Sequence, residues 1–375
     1  MIVKDGYIGY KEWSAFALVT TGAKMLNPSP VILTEYGREA AWLLSLTAGA
    51  VNLALLFVVF RFMRPYPGLG LLDVVEKRSG RLFARGFAFA LWLGFGANGF
   101  LNLRLLVDQA KIVTLPQTPV SVLMAATLVV SLYLAYKGVE TLGRVCRILL
   151  PWLFAAVFSV AALVANRYVF YNFAPWFGPG LVKIGWEGLR HALYFGESFA
   201  LPVLALFVRK TEDFEKGLLS GTVYAIAATT FVIAVMQLVL GSPGAESVAF
   251  PFLELSRMIY INRFIQHLEG VYSAIWLLIA FTQIALELYL ANFLFAQLFG
   301  VKRFRPMLLP TASLFFMLAL LPQYFYETIL WKDRYLIQLG GLVIYGTFFC
   351  AWIASWFRGV PEEREGAGGG ADAPA

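Results

Sequence analysis

Apolar runs of about 20 residues, the length a helix needs to cross a bilayer, recur along almost the whole chain, separated by short polar stretches. They do not alternate with a period of two, which excludes a membrane β-barrel. The pattern predicts ten membrane-spanning helices, at about 10–29, 39–62, 84–106, 119–136, 146–166, 188–208, 217–240, 269–298, 306–323 and 337–357. Two of these spans are interrupted. In the sixth, Tyr194-Phe195-Gly196-Glu197-Ser198-Phe199-Ala200-Leu201-Pro202 places a carboxylate between a glycine and a proline. In the first, Thr20-Thr21-Gly22-Ala23-Lys24 is followed by Pro28 and Pro30. A helix in lipid must satisfy its own backbone, and Gly and Pro work against that. Paired broken spans in corresponding halves point to a small-molecule site at mid-membrane.

Spans one to five and six to ten have similar lengths, and each set opens on its broken helix. Five spans per half make the second half inverted relative to the first. The expected organisation is one transmembrane domain, 1–360, with repeats at about 8–166 and 188–358, followed by a disordered cytoplasmic tail, 361–375. The plainer alternative is that Gly and Pro are simply common in membrane helices. Between spans seven and eight, Gly241-Ser242-Pro243-Gly244 reads as a turn and Phe250–Ile259 as a short amphipathic helix. The stretch Gly68–Arg81 reads as its counterpart on the other side.

Composition agrees with this class: 375 residues, 59% apolar, 14% charged, mean hydropathy +0.71. The net charge of +7 does not imply nucleic acid, because the basic residues are dispersed between apolar runs. One set of loops and termini, including Arg61, Arg64, Lys77, Arg78, Arg81, Arg85, Lys137, Arg144, Arg147, Arg209, Lys210, Lys216, Lys302, Arg303 and Arg305, is about twice as basic as the other. The other set counts Arg38, Arg104, Lys111, Arg167, Lys183, Arg190, Arg257, Arg263, Lys332 and Arg334. This asymmetry puts both termini in the cytoplasm. Met1–Lys11 lacks the pattern of a cleaved signal peptide. Cys146 and Cys350 suggest neither a disulfide nor a metal motif, and His191 and His267 are placed near the outer surface, too far apart in sequence for a metal site. No phosphate loop, nucleophile arrangement or HExxH motif appears, so neither an enzyme nor a cofactor is expected.

Several stretches resemble the spore germination permease family: Leu115-Pro116-Gln117-Thr118-Pro119, Lys137-Gly138-Val139-Glu140-Thr141-Leu142-Gly143-Arg144, Phe250–Ile259 and Phe264-Ile265-Gln266-His267-Leu268-Glu269-Gly270-Val271. The resemblance covers roughly residues 8–358. It implies a fold of the amino acid–polyamine–organocation superfamily, LeuT-type, with ten helices. It also implies the B subunit of a nutrient germinant receptor, with a small nutrient ligand such as an amino acid. The implied partners are an A-type membrane subunit and a C-type lipoprotein, and the implied location is the inner spore membrane. Lys24, just after the first break, departs from the usual pattern of the family.

On that fold the pocket lies between spans one, three, six and eight. Backbone amides at Thr21, Gly22 and Ala23 would begin the outer half of span one and attract a carboxylate, with Thr20 and Thr21 hydroxyls adding hydrogen bonds. A packing glycine is the alternative. Lys24 is read as a ligand for that carboxylate, a counterion for Glu197, or a substitute for a coupling cation. Glu197 is expected to line the cavity, pairing with an ammonium group, holding a proton, or binding backbone amides; Gly196, Ser198 and Phe199 are its neighbours. Asn98 and Asn102 share a helical face with Gly94 and either touch ligand or join helix to helix. Thr282, Gln283 and Glu287 lie toward one side of span eight, with Glu287 in a cavity or proton role or a structural salt bridge. The competing functions are a proton-coupled amino acid transporter and an ion or water conduit opened during germination.

Overall fold

The computed structural model describes residues 6–260, 268–301 and 303–358. Among these, six helices are long and apolar enough to cross a membrane: Pro30–Met63, Arg81–Val113, Val139–Leu163, Thr211–Ser247, Glu269–Phe299 and Phe325–Phe357. Shorter apolar helices cover Val120–Tyr136, Glu197–Phe207 and Arg305–Ala319. Much of the outer surface is apolar: Phe57, Leu93, Val129, Tyr133, Ile148, Trp152 and Phe158 are exposed. Such a surface belongs against hydrocarbon.

The first span breaks later than its glycine suggests. Helix α1 (Tyr10–Gly22) runs into a 3-10 turn at Ala23–Leu26, and the chain becomes extended at Asn27 before α2 (Pro30–Gly37). Pro28 and Pro30 supply no backbone N–H, so the helix cannot continue through them. Asn27 Oδ1 accepts the Ser29 N–H at 2.8 Å and stands in for the missing ladder. A reversal at Arg38 (φ +48°) then turns the chain into α3 (Ala41–Met63).

A short helix outside the spans, α4 (Leu71–Ser79), leads into α5 (Arg81–Val113), followed by α6 (Val120–Tyr136) and α7 (Val139–Leu163). α4 lies in the stretch expected to hold the counterpart of the Phe250–Ile259 helix, and α11 (Pro251–Arg257) occupies the latter. The sixth span begins earlier than expected, as α8 (Leu181–Arg190), and is broken by a 3-10 turn at Ala192–Phe195. A single helical turn, α9 (Glu197–Ala200), and 3-10 geometry through Leu201–Phe207 complete it. α10 (Thr211–Ser247) kinks at Gly241 (φ +67°), the expected turn, and α12 (Glu269–Phe299) follows α11.

α13 (Leu308–Ala319) precedes one long helix in three parts: α14 (Phe325–Leu330), a π-helical segment Trp331–Gly340, and α15 (Gly341–Arg358). α1 packs along α10, while α12 packs against α5, α6 and α7. Expected features at Arg263, Lys302, residues 264–267 (with His267) and the tail 361–375 lie outside the described residues.

Three expectations about polar residues are corrected. Arg104 and Lys332 were assigned to water-facing loops, and His191 to the surface; their exposures are 7%, 2% and 0%. Arg104 pairs with Asp108 one turn along α5 at 3.0 Å, and its guanidinium donates to the carbonyls of Ala319, the last residue of α13, and of Gln323 in the turn that follows. Hydropathy averaging misplaces such residues, because a charge neutralised by partners inside a bundle looks the same in sequence as one in a loop.

A cavity of about 380 Å³ opens on the face where α1 begins, between α4, α5 and α12, and Asp73, Glu76, Arg81 and Arg85 are part of its wall. Burial, opposed by the Gly70 amide, holds the Asp73 carboxyl above its usual range. An acid with a raised native pKa lowers stability once ionised, and the protein gains stability as the pH falls through that pKa. Asp73→Asn is therefore expected to melt higher than wild type at neutral pH, with the gap narrowing in acid. Equal melting curves at neutral pH would refute this.

Candidate functional site

The two helix breaks meet at the centre of the bundle. Lys24, from the turn after α1, donates to both carboxylate oxygens of Glu197, each at 2.6 Å, and to the Tyr194 carbonyl that the second break leaves free. The pair is buried, at 2% and 5% exposure. Lys24 is thus in ion-pair contact with Glu197. Asn98 of α5 donates to Glu197 at 3.2 Å and to Glu287 of α12 at 3.0 Å, tying the pair to a second carboxylate. Glu287 Oε1 also accepts from Asn102 at 2.5 Å and Gln283 at 3.2 Å, whereas its buried Oε2 has no hydrogen-bond partner among the described residues. Lys332, from the π segment, donates to Asn102 Oδ1 at 2.5 Å and Ser29 Oγ at 2.9 Å. Two ammonium groups and two carboxylates thus converge from four elements.

The other expected residues divide. Ser198 accepts from Asn52 of α3 at 2.7 Å and donates to Phe195 O, fixing the second break to α3. Phe199 packs edge-on against Tyr345 and Phe348, with centroids 4.9 and 5.3 Å away. Gly196 and Gly94 line the cavity beside Glu197. Thr20 and Thr282 turn back on their own helices, bonding Phe16 O and Leu278 O. Thr21 is buried, and its hydroxyl has no partner among the described residues.

The carboxylate cradle expected at Thr21–Ala23 is not formed. The Ala23 N–H donates to Val19 O, Gly22 packs against Ala225, and the outer half of the span starts only at Pro30. Asn52, Ser29, Lys332 and Tyr345 were missed. The only sequence signal for Lys332 was its nearness to the last span, within Trp331-Lys332-Asp333-Arg334, which reads as a loop.

Beside the charged cluster lies a cavity of about 20 Å³ lined by Lys24, Gly94, Phe95, Asn98, Leu193, Tyr194, Gly196, Glu197, Lys332, Leu336, Ile337 and Ile344. That is room for roughly one water. The larger cavity beside α4 shares none of these residues. Among the described residues no group of three or more His, Cys, Asp and Glu is placed to hold a metal.

Both approaches to the centre are shut. On the face where α1 begins, the Ile8 N–H donates to Phe207 O and the Arg209 N–H to Ile8 O, a β-bridge between the chain start and the end of span six. On the opposite face, buried His191 packs against Tyr36 with the rings tilted and their centroids 4.5 Å apart, and its Nε2 lies 3.3 Å from Asp333 Oδ1. Tyr36 donates to Asp333 Oδ2 at 2.7 Å, and Gln338 bridges Tyr36, Asp333 and Arg190. Glu187 completes the cluster through Arg190 and His191. Asp333→Asn weakens this closure, so a cysteine placed at Leu193 is expected to react with a water-soluble thiol reagent several-fold faster in that background. An unchanged rate would show that the cluster does not control access.

Helices broken at mid-bundle around a buried polar centre define a membrane protein with the LeuT-type fold. The fold matches a Na+-coupled sialic acid symporter in a substrate-bound outward-open state (TM-score 0.64, 10% identity, covering 92% of this chain and 79% of that one). It also matches MhsT in complex with L-phenylalanine (0.65, 12%, 95% and 99%) and MHP1, a nucleobase-cation-symport-1 family transporter with bromovinylhydantoin bound (0.60, 13%, 92% and 79%).

The chain itself belongs to the spore germination protein family, whose family model it matches over residues 18–326. Relatives in Bacillus subtilis (strain 168) are YfkT, 24% identical over 282 residues (73% of this chain, 75% of that protein), and spore germination protein YndE, 22% over 279 residues (73% and 76%). Spore germination protein KB is 22% identical over 261 residues (68% and 69%). The chain is thus a multi-pass membrane protein of the spore germination family.

Proposed function

We propose that this chain is the B-type membrane subunit of a nutrient germinant receptor, binding an amino acid in the central cavity and signalling through an A-type membrane subunit and a C-type lipoprotein. The observation that carries the reading is the meeting of Lys24, Glu197 and Lys332 around a small cavity at two helix breaks, with Glu287 joined to them through Asn98 and Asn102. Buried charges at mid-bilayer are costly, and apolar residues in their place are often as stable or more so. A zwitterion is a ligand for which such a cluster has a use. The likeness in fold to MhsT, solved with L-phenylalanine, supports the class of ligand.

The cavity is too small for an amino acid as it stands, so binding must favour a wider arrangement of the broken helices; that shift is the signal passed to partners. The face where α1 begins is assigned to the cytoplasm and the membrane to the inner spore membrane. The test is a thermal-shift screen of the purified protein against amino acids, in which a ligand at 100 times its dissociation constant adds about 2.7 kcal/mol. A folded sample that responds to none of them overturns the reading.

One observation favours a second reading, a proton-coupled amino acid transporter: the buried Glu287 Oε2 lacks a partner and offers a seat for a proton. Uptake of labelled amino acid into proteoliposomes under a proton gradient would select it. Binding without uptake would leave the receptor.

A further inference from the structure

Of the two central lysines, only Lys24 is saturated. Its ammonium meets both Glu197 oxygens and the Tyr194 carbonyl, which matches its three donors. Lys332 spends two donors, on Ser29 Oγ and Asn102 Oδ1, both neutral acceptors. Among the described residues no carboxylate is in ion-pair contact with it; Glu197 and Glu287 act on it only across a gap. Asn102 keeps that gap, because it accepts from Lys332 through Oδ1 while donating to Glu287 through Nδ2. The side chain is buried and forms part of the cavity wall, together with Phe95, Leu193, Leu336, Ile337 and Ile344. A buried ammonium with an unspent donor beside an apolar wall is half of a binding site for a small carboxylate with an apolar body.

We propose that Lys332 anchors the carboxylate of the ligand, so that the central cavity selects free acids of small apolar amino acids over their amides. The assignment rests on the reading of the central cavity as the ligand site. It moves carboxylate recognition from the first break, where the Ala23 amide is already used, to the π segment of the last span. A carboxylate there gains a charge-assisted hydrogen bond, and its charge faces the ammonium that lacks an ion partner. The ligand's ammonium faces Glu197, and its side chain takes the wall of Leu193, Leu336, Ile337 and Ile344.

The π segment also explains how Lys332 reaches the centre. Lys332 and Asp333 are adjacent yet both buried, Lys332 in the central cluster and Asp333 in the His191 cluster. A wider helical turn is a recurrent device at functional sites for placing side chains in this way.

The test uses the purified full chain and three pairs of probes: L-alanine, L-valine and L-leucine, each against its primary amide. Wild type is expected to bind at least one free acid about 10- to 100-fold more tightly than its amide, the range a charge-assisted hydrogen bond supplies. Lys332→Gln is expected to remove that preference by weakening the acid alone, while Lys332→Arg retains most of it. Because Lys332→Gln leaves the carboxylates in excess, Lys332→Gln with Glu287→Gln restores the charge balance and serves if the single variant fails to fold.

Acid and amide weakened equally would mark Lys332 as structural only and overturn the assignment. So would an undiminished preference for the acid in Lys332→Gln or in the double variant. Those outcomes leave the central site itself standing. Wild type that binds none of the six probes overturns this assignment, and the site reading falls with it when the wider screen of amino acids is flat as well.

Discussion

Glu197→Gln is expected to abolish ligand binding and to destabilise the protein by about 3–5 kcal/mol, the usual cost of removing one partner of a buried ion pair. The glutamine keeps the volume of the side chain, so packing against Gly196 and Phe199 is preserved. What changes is charge. Lys24, 2% exposed, would keep the Tyr194 carbonyl and at most one amide oxygen, but lose the negative charge that neutralises it at 2.6 Å. Asn98 would still reach Glu287, so the damage should remain local to the first break.

The pairing argument makes a second, sharper demand. Lys24→Met combined with Glu197→Gln removes both charges and should recover much of the lost stability, while binding stays absent. Thermal unfolding in detergent, with and without amino acids, measures both. A single variant as stable as wild type, or a double variant no better than the single, would show that the ion pair does not hold the breaks together.

Gly221→Ala is the second large effect. A Cβ there would collide with Ser14 O and lie 2.7 Å from Ala17 Cβ and 3.1 Å from Leu18 N, two of the three being backbone atoms of α1. Gly217 meets Trp13 and the Tyr10 carbonyl in the same way, and Ala225 meets Gly22. Gly217, Gly221 and Ala225 therefore form a small-residue stripe on α10, along which α1 lies in backbone contact. Close helix approach of this kind drives association where lipid removes the hydrophobic difference between helices.

Alanine must push α1 away, at about 1–3 kcal/mol or more, as overpacking generally costs. Because α1 leads directly into Lys24, binding should fall along with the melting temperature. Gly86→Ala is the control: nothing lies within 4 Å of a Cβ at that position, and alanine is the better helix former. If the two variants melt alike, the α1–α10 contact is not the close crossing it looks to be.

Much of the membrane architecture was legible in sequence, because the rule behind it is local. A span of the required length and hydropathy announces itself, and Glu269–Phe299 was expected to within a residue. Glu197 and Lys24 were legible for the same reason: a charge inside an apolar run needs a partner, and these two found each other. Asn98 was visible as a polar residue in an apolar helix, although whether it touched ligand or another helix was open. It joins Glu197 to Glu287.

The failures share one cause. Lys332, Arg104 and His191 lie where hydropathy falls, and a falling average reads as water whether the polar groups meet solvent or each other. Gly22 looked like the break because glycine weakens helices, but its position is set by contact with Ala225, and the break waits for Asn27, Pro28 and Pro30.

By itself, then, the sequence determined that this chain crosses a membrane many times, that its first and sixth spans are interrupted, and that charge is buried near both interruptions. These follow from the cost of exposing backbone or charge to hydrocarbon, which acts on each segment separately. Only the tertiary structure decided which charges pair, that Lys332 joins the centre through a π-helical turn, and that His191 and Asp333 help shut one face. Those depend on distances between segments up to about 300 residues apart, as in the Lys332–Ser29 hydrogen bond. No local pattern encodes a partner, because a buried polar group needs only some match and the fold chooses which one.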